Sequence, residues 1–429
     1  MTKNIGFISF RISGTDGVSL ETMKWAEVLE NRGHRCFFMA GELEMPEEKS
    51  FVVPEAHFTH PEIKYLYQLA FSHSSRPREL SAGLHKYREV LKEKIYEFVK
   101  KYDIDVLVAQ NVLTIPLNIS LGMALTEFIA ETGIFTIAHH HDFFWERKRF
   151  LRNCVWDYFN ACFPPHLNSI QHVVINSSAQ NQLALRTGIS ATIIPNVMKF
   201  ESPPEPVDKY ASDVREVMGI SKEEYMILQP TRVVQRKGIE HAIELVARLG
   251  INATLVISHA SGDEGYEYEQ RVRDYAQLLG VKALFIQQII GDHRGTTPDG
   301  KKIYSLQDIY PHADLISYPS IQEGFGNAFL EAIYFKKPIL INNYSIYFYD
   351  IKPKGFDVIE MNDYITNETV ATTERILLDR EHVRKMVEKN YELGLKHYSY
   401  TVLEQRINNL MCEFFGRDYL NERNGITQQ

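Results

Sequence analysis

The sequence predicts an α/β protein built from two doubly wound parallel-sheet domains that face each other across a cleft. Three observations carry this. Short β-rich runs alternate with longer helical stretches, a proline-rich break falls near the middle, and the same alternation starts again beyond it. In order, the first half offers strands at Ile5 to Phe10, Arg35 to Ala40, Val106 to Gln110, Phe135 to His139, His172 to Asn176 and Ala191 to Pro195, with helices between them such as Leu20 to Arg32 and Leu84 to Tyr102. The break spans Lys199 to Lys209, where Glu201-Ser202-Pro203-Pro204-Glu205-Pro206 has three prolines and no periodicity. Strands then resume at Met226 to Pro230, Ala253 to Ser258, Ala283 to Gln288, Leu315 to Tyr318, Pro338 to Asn342 and Phe356 to Met361, and the tail from about Asp379 reads as helices alone. The expected layout is a first domain over 1–198, a linker over 199–209, a second domain over 210–385 and C-terminal helices over 386–429. Sheets of this kind take ligands at the carboxyl ends of their strands.

Composition narrows the class. A chain of 429 residues fits two or three domains, and its 44% hydrophobic and 24% charged content is that of an ordinary globular protein. With 47 basic against 55 acidic residues the net charge is -8, and both signs are interspersed, so there is no footprint for nucleic acid. Cys36, Cys154, Cys162 and Cys412 form no Cys-x2-Cys ligand set, and free thiols in a reducing compartment account for them. The apolar run Ile5 to Phe10 is short for a signal peptide, and no apolar run approaches the roughly 20 residues that span a bilayer, so the expected location is cytoplasmic. The segment Phe143 to Arg152 has the aromatic and basic composition of a peripheral membrane contact, and equally that of a half-buried helix with solvated Arg and Lys.

The most informative stretch is Glu323-Gly324-Phe325-Gly326-Asn327-Ala328-Phe329-Leu330-Glu331, two carboxylates with seven residues between them around a glycine turn. Gly324 and Gly326 delay a regular helix until about Asn327, which leaves Glu323 in the loop and Glu331 one turn inside the helix. The amides of Phe325, Gly326 and Asn327 then sit at a helix N-terminus that favours an anionic diphosphate, while the carboxylates accept hydrogen bonds from sugar hydroxyls. Taken alone, the stretch also fits a glycine-capped surface turn with two solvated acids. A second group, Gln229-Pro230-Thr231-Arg232-Val233-Val234-Gln235-Arg236-Lys237-Gly238, ends a strand and sets cations before a helix, an arrangement suited to phosphate oxygens. A third, Ala138-His139-His140-His141-Asp142, ends a first-domain strand; consecutive strand residues point to alternate faces, so the three histidines cannot all ligate one ion. A fourth, Ser13-Gly14-Thr15-Asp16-Gly17-Val18-Ser19, lacks the Gly-x-Gly-x-x-Gly spacing of a dinucleotide site, and the chain has no Gly-Lys-Ser/Thr P-loop.

The first of these groups resembles the Glu-x7-Glu signature of retaining glycosyltransferases of family four, enzymes of GT-B architecture with two Rossmann-like domains. The resemblance implies a hexosyltransferase whose partners are a nucleoside-diphosphate-sugar donor and a hydroxyl acceptor. It implies that Glu331 holds the ribose hydroxyls and Glu323 the transferred sugar, with Gly324, Phe325, Gly326 and Asn327 around the donor phosphates. Arg232 and Lys237 match the family's Arg-x4-Lys pair, and Arg236 is left unassigned. His141 and Asp142 match a His-Asp pair whose imidazole contacts the donor sugar near its C6 hydroxyl, although which of the three histidines faces the donor stays open. The loop with Asp16 and Gly17 is implied to face the cleft, Gly17 near the donor phosphate and Asp16 toward an acceptor hydroxyl, although Asp16 stands where the family usually has a glycine. Ile193-Ile194-Pro195-Asn196 resembles the turn that ends the first domain. At Leu284 to Gln288 the family's Phe-x-Gly strand end is missing, and Gly291-Asp292-His293-Arg294-Gly295 reads as an inserted hairpin or loop. The last helices are implied to pack back on the first domain.

Arg232, Lys237, Glu323 and His141 are thus the expected catalytic set, with Asp16, Asp142 and Arg147 on the acceptor side. No cofactor is required, and a divalent metal is left at most a stimulatory role. The donor reads as GDP-mannose or a glucose nucleotide. The cations Arg147, Lys148 and Arg149 suit an acidic acceptor such as a glucosylglycerate, which makes the chain similar to the mannosylglucosylglycerate synthase subfamily. A sugar-nucleotide epimerase of the same fold and a non-catalytic nucleotide-sugar-binding protein are the alternatives.

Overall fold

The computed structural model describes residues 2–14, 16–259, 267–416 and 419. Thr15 of the fourth sequence group, and the end of the 386–429 segment beyond 416 apart from Tyr419, lie outside the described residues. The chain separates into two compact units, Met1–Asn196 with Tyr400–Gln429, and Val197–Ser399.

The first unit runs β1 (Asn4–Ile8), α1 (Gly17–Asn31), β2 (Arg35–Ala40), β3 (Ser50–Val52), α2 (Pro61–Ser72), α3 (Arg78–Tyr102), β4 (Val106–Gln110), α4 (Ile119–Thr132), β5 (Phe135–His140), α5 (Lys148–Leu151), α6 (Trp156–Cys162), β6 (Ile170–Val174), α7 (Ser177–Thr187) and β7 (Ala191–Ile193). Its seven strands form one parallel sheet in the order β3-β2-β1-β4-β5-β6-β7. β4 is buried along its whole length, as a parallel strand covered by helices on both faces must be. Ile8, Leu107, Phe98, Leu125 and Ile129 belong to the core beside it. β3, three residues long and only half buried, has no period of its own and was not among the expected strands.

The second unit runs α8 (Val214–Val217), β8 (Tyr225–Gln229), α9 (Ile239–Arg248), β9 (Ala253–Ile257), α10 (Glu267–Leu278), β10 (Ala283–Phe285), β11 (Gly295–Thr296), β12 (Lys302–Ile303), α11 (Leu306–Ile309), β13 (Leu315–Tyr318), α12 (Asn327–Tyr334), β14 (Ile339–Asn342), β15 (Ile359–Met361), α13 (Asn367–Leu378) and α14 (Arg380–Tyr398). Six strands make a parallel sheet in the order β10-β9-β8-β13-β14-β15. β11 and β12 form a separate antiparallel hairpin, where the sequence has its insertion. Arg294 anchors that hairpin through Asp308 and Asp208, at 2.6 Å to each.

Two expected boundaries move. Residues 197–200 pack with the second unit: Phe200 is buried, its carbonyl accepts from the Tyr391 hydroxyl at 2.8 Å, and its ring lies on Gly394 of α14. The boundary drawn at 385/386 falls inside α14, which is continuous, packs on α12 and pairs through Glu388 with Lys336, just past the end of α12, at 2.8 Å. The chain instead returns to the first unit at 399/400, where α15 (Tyr400–Phe415) lies against α1. There Arg32 pairs with Glu404, Gln171 donates to Glu413 at 2.7 Å, and Phe414 stacks on Phe135 with 4.8 Å between centroids.

Candidate active site

In the second unit the strand order reverses between β8 and β13, which pair directly with Leu315 opposite Ile227. The loops leaving their carboxyl ends, 230–238 and 319–326, therefore run side by side, at the place where open α/β sheets bind ligands. The amide of Ile321 donates to the carbonyl of Arg236 at 2.9 Å. Gly238, at φ +61°, lets the second loop approach: a Cβ there would come within 2.5 Å of the Pro319 carbonyl oxygen.

This juxtaposition brings the cations of one loop onto the acid of the other. Lys237 Nζ is paired with Glu323 Oε1, and Arg236 reaches Glu323 Oε2 at 3.4 Å. The Lys237 and Glu323 side chains are 12% and 9% exposed, so the pair is largely withdrawn from water. Burial pushes the Glu323 carboxyl up, but Lys237 and Arg236 outweigh it and hold it below the ordinary carboxylate value. Burial lowers the Lys237 ammonium, and Arg236 and Arg232 add to that against the pull of Glu323. Arg232 is exposed, and among the described residues no carboxylate lies within ion-pair distance of it. It is the cation of this group left open to an anionic ligand.

The glycine turn behaves as its sequence demands. α12 starts at Asn327, and Gly326 at φ +118° is the residue before it. A Cβ on Gly326 would fall 2.4 Å from the Tyr344 hydroxyl, which donates to the Phe325 carbonyl at 2.8 Å and fixes the turn. The Phe325 side chain is buried against Tyr398, so only its backbone is offered to a ligand. Glu331, in the second turn of α12, accepts a hydrogen bond from the Tyr310 hydroxyl at 2.6 Å. Tyr310 is buried and stacked on Phe335 at 4.9 Å; burial and Glu331 raise its hydroxyl well above the ordinary value, so it stays protonated and donates to Glu331. Sequence reasoning missed Tyr310, Tyr344 and the use of Arg236, because none has a fixed spacing from the residue it serves.

In the first unit the reversal lies between β1 and β4, and the candidate residues follow β1, β4 and β5. Strand alternation sorts the three histidines. His139 and His141 lie together on one side, ring centroids 4.3 Å apart, with Trp25 behind His139 at 4.6 Å. His140 points the other way, its Nε2 2.9 Å from His172 Nδ1 and its Nδ1 3.1 Å from Thr114 Oγ1. His139 and His140 are fully buried and His141 is not, so His141 is the one that reaches the surface. Among the described residues no group of three or more His, Cys, Asp or Glu is arranged to hold a metal ion.

The Gln110-Asn111 pair at the end of β4 organises the His141-Asp142 pair at the end of β5. Gln110 Oε1 lies 3.1 Å from His141 Nε2, Asn111 Oδ1 accepts from the His141 amide at 2.9 Å, and Asn111 Nδ2 donates to Asp142 Oδ1 at 2.9 Å. Asn111 holds φ +61°, left-handed backbone that asparagine adopts more readily than most residues. Burial pulls the His141 imidazole down to about 4 against the opposing charges of Asp142 and Asp16, with Lys24 also lowering it. Asp142 Oδ2 is taken by Arg147, Nε to oxygen 2.5 Å, so two expected acceptor-side residues hold each other. Asp16 caps α1: its Oδ1 accepts from the amides of Val18 and Ser19 at 3.0 and 3.2 Å, its Oδ2 from Ser19 Oγ and Arg11 at 2.7 and 3.1 Å. Gly17 is the first residue of that helix.

Residues 212–393 match the family described as "Glycosyl transferases group 1", a span that holds both loops of the second unit. The chain is 33% identical to the mannosylglucosylglycerate synthase of Petrotoga mobilis over 91% of its length and 97% of the relative's, and 32% identical to that of Thermotoga maritima over 93% and 97%. Among solved structures it is similar to a glycosyltransferase from Rickettsia africae, with a TM-score of 0.68 at 15% identity covering 97% of this chain and 99% of the other.

Proposed function

The chain belongs to the group 1 glycosyltransferases and has their two-domain GT-B fold, and from that premise we propose that it is a retaining enzyme moving mannose from GDP-mannose to a hydroxyl of a small acidic glycoside of the glucosylglycerate class. The observation that carries the reading is the meeting of Lys237 and Arg236 with Glu323 at the strand-order reversal of the second unit, beside open Arg232 and a helix that starts at Asn327. Support for mannose and for a glycerate-bearing acceptor comes from the names of the two relatives and from the basic run Arg147-Lys148-Arg149.

In this reading Glu331, oriented by Tyr310, accepts from the ribose hydroxyls, and Glu323 lies along the hexose. Arg232, Lys237 and the first turn of α12 neutralise the diphosphate as it leaves and the sugar becomes oxocarbenium-like. The departing phosphate oxygen takes the proton of the attacking hydroxyl on the same face of the ring, which returns the starting anomeric configuration. His141 meets the hexose, and Asp142 with Arg147 serves the acceptor side. The charge comes from protein cations, so chelator treatment is expected to leave activity; complete loss that a divalent metal restores contradicts that part.

A panel of sugar nucleotides tested by thermal shift decides the donor, since a ligand that binds only the native state raises the melting temperature. GDP-mannose is expected to give the largest shift and a glucose nucleotide a smaller one. A larger shift with a glucose nucleotide reassigns the donor. Conversion of the donor without any acceptor points to an epimerase, and tight binding without turnover to a binding protein.

A further inference from the structure

We propose that Gln110 is a positioning residue that fixes the tautomer of His141, placing its single proton on Nε2 so that Nδ1 faces the substrate as an acceptor for a sugar hydroxyl. The inference rests on the reading that His141 meets the hexose and says which atom does so and what holds it.

Gln110 closes β4, is fully buried, and puts its carbonyl oxygen 3.1 Å from His141 Nε2. A carbonyl oxygen only accepts, so a neutral imidazole in this contact carries its proton on Nε2 and a lone pair on Nδ1. Burial keeps the ring neutral around pH 7. The charged groups facing it are Asp142, Asp16 and Lys24, and its ring neighbour is His139. Among the described residues nothing is hydrogen-bonded to Nδ1, whereas Nε2 has Gln110.

Two further observations give Gln110 this use. The other end of its amide, Nε2, is buried without a partner. A buried amide making one hydrogen bond where it has capacity for more costs stability, and an apolar residue closing β4 would avoid that cost. The ring of His141 is also held by more than one contact. His139 packs against it in a tilted arrangement, centroids 4.3 Å apart, and is itself packed on Trp25, both His139 nitrogens being buried without partners. His139 thus packs beside the ring and limits its movement, and Gln110 sets which edge carries the proton.

The reverse amide orientation would donate from Gln110 and place the proton on His141 Nδ1, so the two orientations predict opposite tautomers. Nitrogen-15 NMR of histidine-labelled protein reads the tautomer directly, without reference to activity. The wild type is expected to show His141 protonated on Nε2, and Gln110→Leu to show a mixture of tautomers, with kcat lowered about tenfold, the size of one lost hydrogen bond. Gln110→Glu, which when ionised can only accept, is expected to keep the Nε2 proton, to recover most of the kcat lost in Gln110→Leu, and to move the acid limb of the pH–rate profile upward as the new carboxylate favours the imidazolium. In a His141→Ala background, Gln110→Leu is expected to cost no further rate. A proton on Nδ1 in the wild type overturns the proposal, as does an unchanged tautomer in Gln110→Leu or a Gln110→Glu variant no better than Gln110→Leu. If the tautomer behaves as expected but the protein transfers no hexose, the functional reading fails and the positioning of His141 stands.

Discussion

Arg232 and Lys237 bear the same formal charge but stand in different surroundings, and that difference can be measured. Arg232 is exposed and unpaired among the described residues, so Arg232→Ala is expected to leave the melting temperature within about 1 °C while lowering turnover at least ~100-fold, through loss of charge stabilisation at the leaving diphosphate. Lys237→Ala removes the main partner of a Glu323 side chain that is only 9% exposed, so it is expected to lower both turnover and stability. Calorimetric unfolding with steady-state kinetics checks the pair; an Arg232→Ala enzyme with normal rates returns that residue to a solvated loop. Glu331 gives a second contrast. Glu331→Ala is expected to weaken nucleoside diphosphate binding by roughly 1.5 to 3 kcal/mol, the value of a hydrogen bond to a charged group. Tyr310→Phe keeps the stacking on Phe335 and loses only the hydroxyl that orients Glu331, so a smaller loss is expected. Titration calorimetry with equal affinities for Glu331→Ala and wild type would remove Glu331 from the site. At this scale the acids and the Arg–Lys pair were legible in the sequence, because glycine placement and spacing within one loop constrain them. Gln110 was not legible as more than the end of a strand, since its contact with His141 depends on β4 pairing with β5. Tyr310 and Tyr344 were not, since each reaches its partner from a different element.

Among the elements, β5 and β6 make a prediction that does not depend on function. His139, His140 and His172 are buried in this part of the sheet, and burial holds all three below the ordinary imidazole value of 6.5, His172 at about 4. The unfolded chain binds protons at these positions below about pH 6.5 and the native state does not. Their contribution is therefore present above pH 6.5 and is lost as pH falls toward 4, at about 1.4 kcal/mol per pH unit for each group that stays neutral in the native state. Urea denaturation between pH 7 and 5 is expected to show a steep fall in stability that His172→Gln reduces. A flat profile over that range would mean that the native state accepts these protons. Strand alternation in the sequence already forbade a shared metal site for the three adjacent histidines. It did not reveal His172 as the partner of His140, because the register of β5 on β6 is set by pairing. The same limit explains the two loops of the second unit. Their separation in sequence says nothing of their contact, which comes from β8 and β13 being neighbours in the sheet.

At the scale of the whole chain, the division into two α/β units was readable from the restart of the strand pattern. Where the chain changes unit was not. Proline content marked residues 199–209, yet burial of Phe200 draws 197–200 into the second unit, and α14 stays with it to Tyr398 before α15 returns to the first. Composition identifies a flexible stretch but not which side a buried aromatic joins. The account as a whole stands on hexose transfer with retention, organised by the loops after β8 and β13, and one experiment tests it most directly. Purified protein is incubated with GDP-α-mannose and glucosylglycerate, and the new anomeric centre is followed by NMR through its one-bond carbon–proton coupling. The account predicts an acceptor-dependent product with an α linkage, formed as the donor's anomeric signal disappears and at least ~100-fold more slowly with Arg232→Ala. A β-linked product, or an α-linked one formed at the same rate by Arg232→Ala, would contradict it.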